Sequence, residues 1–198
     1  CHHEGARTVL LLTGGTGYLG RALCAALQSR GVEVRLAGRQ APEGWEHDWG
    51  FYDLDSPSMP SEALFHDVSC VVHCGGLAHR LATRADYERA NVQATSQLAD
   101  IAGRLGVPHF LFISSLNTVP RAARLPDSDA SLHPQPDDGY AASKWPSEIA
   151  PKAICRGHAQ ALTIIRPALI YDPELTAHLA RVSRLMPRWP AAPPAVGN

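Results

Sequence analysis

Residues 8–20 read Thr8-Val9-Leu10-Leu11-Leu12-Thr13-Gly14-Gly15-Thr16-Gly17-Tyr18-Leu19-Gly20. The short apolar run over 8–12 has the pattern of a strand buried on both faces of a parallel sheet. From Tyr18 to Arg30, apolar residues at 19, 22, 23, 26 and 27 recur in helical period, and Gly31 supplies the stop. Between the two, the glycines allow a tight turn and a close backbone approach to a bound group. The helix starting near Tyr18 turns its free N–H groups and positive dipole end toward that turn, which suits a pyrophosphate. Gly14, Gly17, Tyr18, Leu19 and Gly20 are therefore candidate cofactor-binding residues. The competing reading is a strand-to-helix turn without a ligand.

Outward from this unit, strands are expected at 32–37, 51–54, 68–73, 109–113 and 162–165. Helices are expected at 85–105 and from 140 to about 154. Strands alternating with helices imply right-handed crossovers and an α/β fold with a doubly wound parallel sheet. The 198 residues suffice for one domain with a real core. Prolines gather in 120–136 and in Pro187-Arg-Trp-Pro-Ala-Ala-Pro-Pro194, where regular helix is excluded. The division expected is a cofactor-binding domain over 1–170, with 171–198 as the start of a Pro-rich substrate-binding region.

The net charge of -1 and the lack of a basic run give no field for nucleic acid or an anionic membrane. No apolar stretch approaches the ~20 residues that span a bilayer. Five scattered cysteines suit reduced thiols in a cytoplasm better than a disulfide framework. Cys70-x-x-His73-Cys74 lacks a second ligand cluster at zinc spacing, so no metal is expected. The chain opens on Cys1 rather than Met, which reads as a missing or processed N-terminus.

The end of the second strand is where the ribose of a dinucleotide is read. Ala37-Gly38-Arg39 carries no carboxylate there, and an arginine accommodates the 2′-phosphate of NADP. The alternative is that Arg39 stacks on adenine or is solvated. Asp53 could accept from the adenine amino group with Leu54 packed on the ring, or Asp53 could cap the next turn.

Tyr140-Ala-Ala-Ser-Lys144 sets a phenol and an ammonium four residues apart on one helix face. A free phenol has a pKa of roughly 10 and is a poor base at neutral pH. A neighbouring ammonium favours the phenolate, making a general acid/base for a hydroxyl proton.

The motifs TGGTGYLG (13–20), DL (53–54), HCGG (73–76), NV (91–92), FISS (112–115), YAASK (140–144) and RPALIY (166–171) follow one another in this order. On them the chain resembles an extended short-chain dehydrogenase/reductase of the NAD-dependent epimerase/dehydratase group, with a Rossmann-like domain. The resemblance implies that Ser115 hydrogen-bonds the substrate hydroxyl or carbonyl and that Tyr140 exchanges the proton. It implies that Lys144 lowers the tyrosine pKa and binds the nicotinamide ribose. Asn91 would hold the cofactor side of the site, Gly75 and Gly76 would let the chain run beneath the cofactor, and Pro167 would line the nicotinamide pocket. Asn91 is otherwise an ordinary helix residue, and Ser114 otherwise points into the core. Dimerisation through a helix pair is common among such relatives.

Dehydratases of the group resemble a T-D-E run, whereas Ser115 is followed by Leu116 and Asn117, which cannot move the protons of water elimination. What remains is a UDP-sugar 4-epimerase-like reaction on a nucleotide-sugar, which favours NAD. The alternatives are an NADPH-dependent ketone or aldehyde reductase, which Arg39 favours, and a non-catalytic cofactor-binding sensor or scaffold. Three features depart from the resemblance. Pro146 and Pro151 fall inside the Tyr-Lys helix, Asp172 stands where a glycine is usual, and relatives continue well beyond Asn198 with a further strand and a substrate subdomain.

Overall fold

The computed structural model describes residues 9–45, 47–56, 58–77, 82–118 and 139–167, with backbone alone at 117 and 139–142. The expected division near residue 170 lies outside them. Six parallel strands form one sheet in the order β3-β2-β1-β4-β5-β6. They are β1 (Val9–Thr13), β2 (Glu33–Gly38), β3 (Trp49–Phe51), β4 (Val68–His73), β5 (His109–Ile113) and β6 (Ala161–Ile165). The order reverses between β1 and β4, and this switch point opens a crevice at the carboxyl ends of the strands.

The sheet is covered on both faces because successive strand residues point to opposite sides. Leu11, Ala37, Val71, Phe110 and Phe112 join Leu98, Ile101, Ala102 and Cys155 in one core layer. Leu12, Val34, Leu36 and Val72 pack with Cys24, Leu23 and Leu27 in the other. The first layer lies under α3 (Ala94–Arg104) and α4 (Gly139–Gly157), and the second under α1 (Tyr18–Gln28). β1 and β5 therefore read as nearly continuous apolar runs, whereas β2 alternates, with Glu33 and Arg35 between its buried residues.

The elements depart from the expected ones in three places. The third strand is Trp49–Phe51 rather than 51–54, because the chain pairs there with Leu36–Gly38 of β2, leaving Asp53 and Leu54 in the turn beyond. The helix expected over 85–105 is not uniform. A single turn, α2 (Arg84–Tyr87), capped by a reciprocal Thr83–Asp86 box, passes into a π-turn over Glu88–Gln93 and then into α3. Ala94 N–H bonds to Arg89 O, five residues back, and the hydroxyls of Thr95 and Ser96 donate to the carbonyls of Asn91 and Val92. Finally, α4 runs through both Pro146 and Pro151.

Candidate active site

β1 ends at Thr13, and the chain turns through Gly14–Gly17 into α1. Gly14 has φ of +75°, and a Cβ there would lie 2.6 Å from Gly75 N, so no side chain fits this contact between the first and fourth strand ends. Gly17 N–H closes the turn on Gly14 O at 2.9 Å. The N-terminus of α1 has neither a side-chain cap nor an acidic residue in its first turn, leaving its donors facing outward. Beside it lies a cavity of about 440 Å³, within the roughly 300–1,000 Å³ of small-molecule sites.

Of the expected cofactor residues, Gly14, Gly17, Tyr18, Arg39, Asp53, Leu54, Gly75 and Gly76 line this cavity. Leu19, Gly20, Asn91, Lys144 and Pro167 are off its wall. Leu19 and Gly20 lie within the first turn of α1, and Gly20 packs on the Gly14 carbonyl. Asp53 Oδ1 accepts from Asp55 N at 3.1 Å, so this carboxylate caps its turn while also facing the cavity. Leu54 packs against Gly75.

At the other end of the cavity the π-turn brings Asn91 inward. Its Oδ1 accepts from Leu77 N at 2.7 Å, and its Nδ2 donates to Leu77 O at 3.0 Å and to Ser143 Oγ at 2.9 Å. Asn91 thus joins the loop after β4 to α4. A Cβ on Gly76 would lie 3.0 Å from Asn91 Oδ1 and 3.1 Å from Lys144 Nζ, so any side chain would press on both. The Lys144 ammonium therefore sits just behind the cavity wall. It lies 5.0 Å from the centre of the Phe112 ring and is 5% exposed. Burial pushes its pKa down to about 8, partly countered by Cys74 and Glu148.

Ser115 follows β5 at the start of a 3₁₀ turn over Leu116–Thr118, its carbonyl accepting from Thr118 N and Oγ1. Leu116 N–H donates to Pro167 O at 3.0 Å, tying this turn to the segment after β6. Tyr140 lies in the first turn of α4, one turn before Lys144 on the same helix. Its side chain is outside the described atoms.

Two groups of residues escape the sequence reading. Buried Ser114 and Glu148 form a cluster with half-buried Arg166, Ser114 Oγ donating to Glu148 Oε1 and Arg166 binding both carboxylate oxygens. The available signal was spacing: Glu148 is the sole carboxylate of α4, four residues after Lys144. The second is a relay through His73, which is fully buried and stacked on Phe112. Thr95 Oγ1 gives its proton to Asn91 O at 2.6 Å, so it accepts from His73 Nε2 at 2.9 Å. His73 Nδ1 then accepts from Thr13 Oγ1 at 2.6 Å, and Thr13 accepts from Gly75 N at 3.3 Å. Burial and the nearby Lys144 hold the imidazole neutral, down to about 3. Both ring nitrogens are thus engaged by threonines.

The sequence model of the NAD dependent epimerase/dehydratase family matches residues 10–192. The chain belongs to the NAD dependent epimerase/dehydratase family. The family and the similar structures are those of enzymes of the extended short-chain dehydrogenase/reductase type. A UDP-glucose 4-epimerase of Vibrio cholerae is 30% identical over 188 residues, covering 89% of this chain and 56% of the epimerase. A polyketide synthase-nonribosomal peptide synthetase of Aspergillus clavatus is 28% identical over 204 residues, covering 90% of this chain and 5% of that protein. Among solved structures, a short-chain dehydrogenase/reductase superfamily protein from Agrobacterium tumefaciens with bound NAD superposes with a TM-score of 0.64 at 29% identity. The match covers 80% of this chain and 48% of that one. The chain thus spans about half the length of the epimerase it matches.

Proposed function

We propose that the intact protein binds NAD or NADP and moves a hydride to and from a carbon of a nucleotide-sugar, in the manner of a 4-epimerase. The observation that carries this reading is the cavity itself. An uncapped helix end and the Gly14 turn border one part of it, and a desolvated ammonium stands behind Gly76. The donors at the α1 terminus fit a pyrophosphate, and Asp53 and Leu54 fit an adenine face. The nicotinamide, when bound, supplies the hydride acceptor and donor. The chain's own groups do the rest. Tyr140 takes or returns the hydroxyl proton, Lys144 favours the phenolate and holds a ribose hydroxyl, and Ser115 hydrogen-bonds the oxygen being oxidised.

Asn91 maintains the spacing between the cavity floor at Leu77 and α4 at Ser143. Dehydration is disfavoured because Leu116 and Asn117, which follow Ser115, offer no acid or base. A second reading, reduction of a non-sugar ketone or aldehyde with NADPH, is favoured by one observation, Arg39 on the cavity wall beside the end of β2.

The test titrates the intact protein with NADH and NADPH by fluorescence. It then supplies UDP-glucose, UDP-N-acetylglucosamine and a panel of small ketones with each cofactor. Binding of one cofactor, turnover of a UDP-sugar, and loss of that turnover in Tyr140→Phe with binding retained are expected. No cofactor binding, or unchanged turnover in Tyr140→Phe, would refute the reading. Turnover confined to the ketones would favour the second one.

A further inference from the structure

A single buried carboxylate touches every element that carries a candidate catalytic group. Glu148 is 0% exposed and lies one helical turn after Lys144. Arg166 reaches it from the end of β6, its Nε 3.0 Å from Oε1 and 3.2 Å from Oε2, its Nη2 2.5 Å from Oε2. Ser114 Oγ donates to Oε1 from the end of β5. Thr118 Oγ1, which donates to Ser115 O at 2.7 Å, lies 3.3 Å from the same carboxylate oxygen. Ser114 and Thr118 bracket Ser115, and Arg166 immediately precedes Pro167.

Mere packing does not call for such an arrangement. A buried ion pair is commonly no more stabilising than apolar residues of the same volume. What the carboxylate adds is direction: donors converge on it from two strand ends, and it is rigidly joined to Lys144 through one turn of helix. It also acts on Lys144 itself, where its charge favours the ammonium against the cost of burial.

We propose that Glu148 is a positioning residue of the active site, fixing the Ser115 turn, Lys144 and the Pro167 segment relative to one another through Ser114, Thr118 and Arg166. The inference rests on the cofactor-binding reading above. It concerns only the nicotinamide end of the site, since Glu148 is not among the residues that line the cavity with the Gly14 turn, Arg39 and Asp53.

The test exploits that separation. In the intact protein, Glu148→Gln with Arg166→Gln removes both charges together, so neither is left buried and alone. Thermal melting reports the fold. Calorimetric titration compares ADP, which reaches only the adenosine end, with NADH, which also occupies the nicotinamide end. The double variant is expected to bind ADP as the unmutated protein does and NADH about tenfold more weakly. Ser114→Ala, which removes one donor and little volume, should weaken NADH in the same selective way by a smaller factor, and it carries the test if the double variant does not fold. A variant that weakens both ligands equally, or neither, overturns the proposal and leaves the cofactor-binding reading standing. An unmutated protein that binds neither ligand overturns both.

Discussion

Replacing Lys144 by methionine is expected to stabilise the protein at neutral pH while abolishing turnover. In the unfolded chain a lysine releases its proton near 10.5, and in the fold Lys144 does so at about 8. Between those values the unfolded chain holds the proton and the folded chain does not, so this group makes stability rise with pH. Below pH 8 both states are protonated, and the folded state bears the full cost of the buried ammonium. At RT ln 10 per pH unit that cost is about 3 kcal/mol. Methionine has a similar shape and no charge to bury. It forfeits the contact of the ammonium with the Phe112 ring, which is worth roughly 0.5–2 kcal/mol. The net gain at pH 7 is therefore about 1–3 kcal/mol.

Urea unfolding of both proteins, followed by circular dichroism at pH 7.0 and 9.5, measures it. The difference between the two removes the contribution of Cys24, Cys70 and Cys155, which burial raises in both, and leaves Lys144 with its coupled neighbour Cys74. The advantage of the variant should be largest at pH 7 and shrink toward pH 9.5. A variant less stable than the parent at pH 7, or an advantage that does not change with pH, would refute the assignment of a desolvated ammonium.

Gly14→Ala should destabilise the fold by at least about 2 kcal/mol, because it forces a side chain at positive φ onto Gly75 N, and melting temperature together with NADH titration will report both losses. Because His73 titrates at about 3 in the fold and near 6.5 unfolded, the unfolded chain alone binds its proton between those values. Stability should accordingly fall as the pH drops from 6.5 toward 3, and His73→Gln should make that acid limb shallower in denaturant titrations. Arg39→Ala should weaken NADPH by about tenfold or more and leave NADH nearly unchanged. Equal affinities in variant and parent would mean that this guanidinium is merely solvated.

The sheet was legible in the sequence because its signals are local. Val9–Leu12, Val71–Val72 and Phe110–Phe112 are apolar on both faces, and the glycine turn announces the crossover after β1. What escaped were features decided by partners distant in the chain. Trp49-Gly50-Phe51 has neither length nor alternation, and it is a strand only because β2 offers it hydrogen bonds. The π-turn leaves no periodic trace, since it shifts the apolar pattern by a single position. Pro146 and Pro151 suggested a weakened α4. The helix continues through them and is anchored at Glu148, a contact that arises only once β5 and β6 lie side by side. Lys144 could be read as a proton-tuning partner from its spacing to Tyr140. Its own desolvation could not, because Phe112, Gly76 and Asn91 converge on it from three separate segments.

The π-turn also fixes a phase. Asn91 must face Leu77 and Ser143, while Leu98, Ala99, Ile101 and Ala102 must face the sheet. An uninterrupted α-helix advances about 100° per residue and could not keep both faces without the extra residue in this turn. Residue count between Asn91 and Leu98 is thus a quantity under constraint, independent of which side chains occupy it. Deleting one exposed residue there would turn one of the two faces away by a quarter of a revolution or more, so a segment that looks tolerant to substitution should be intolerant to changes in length.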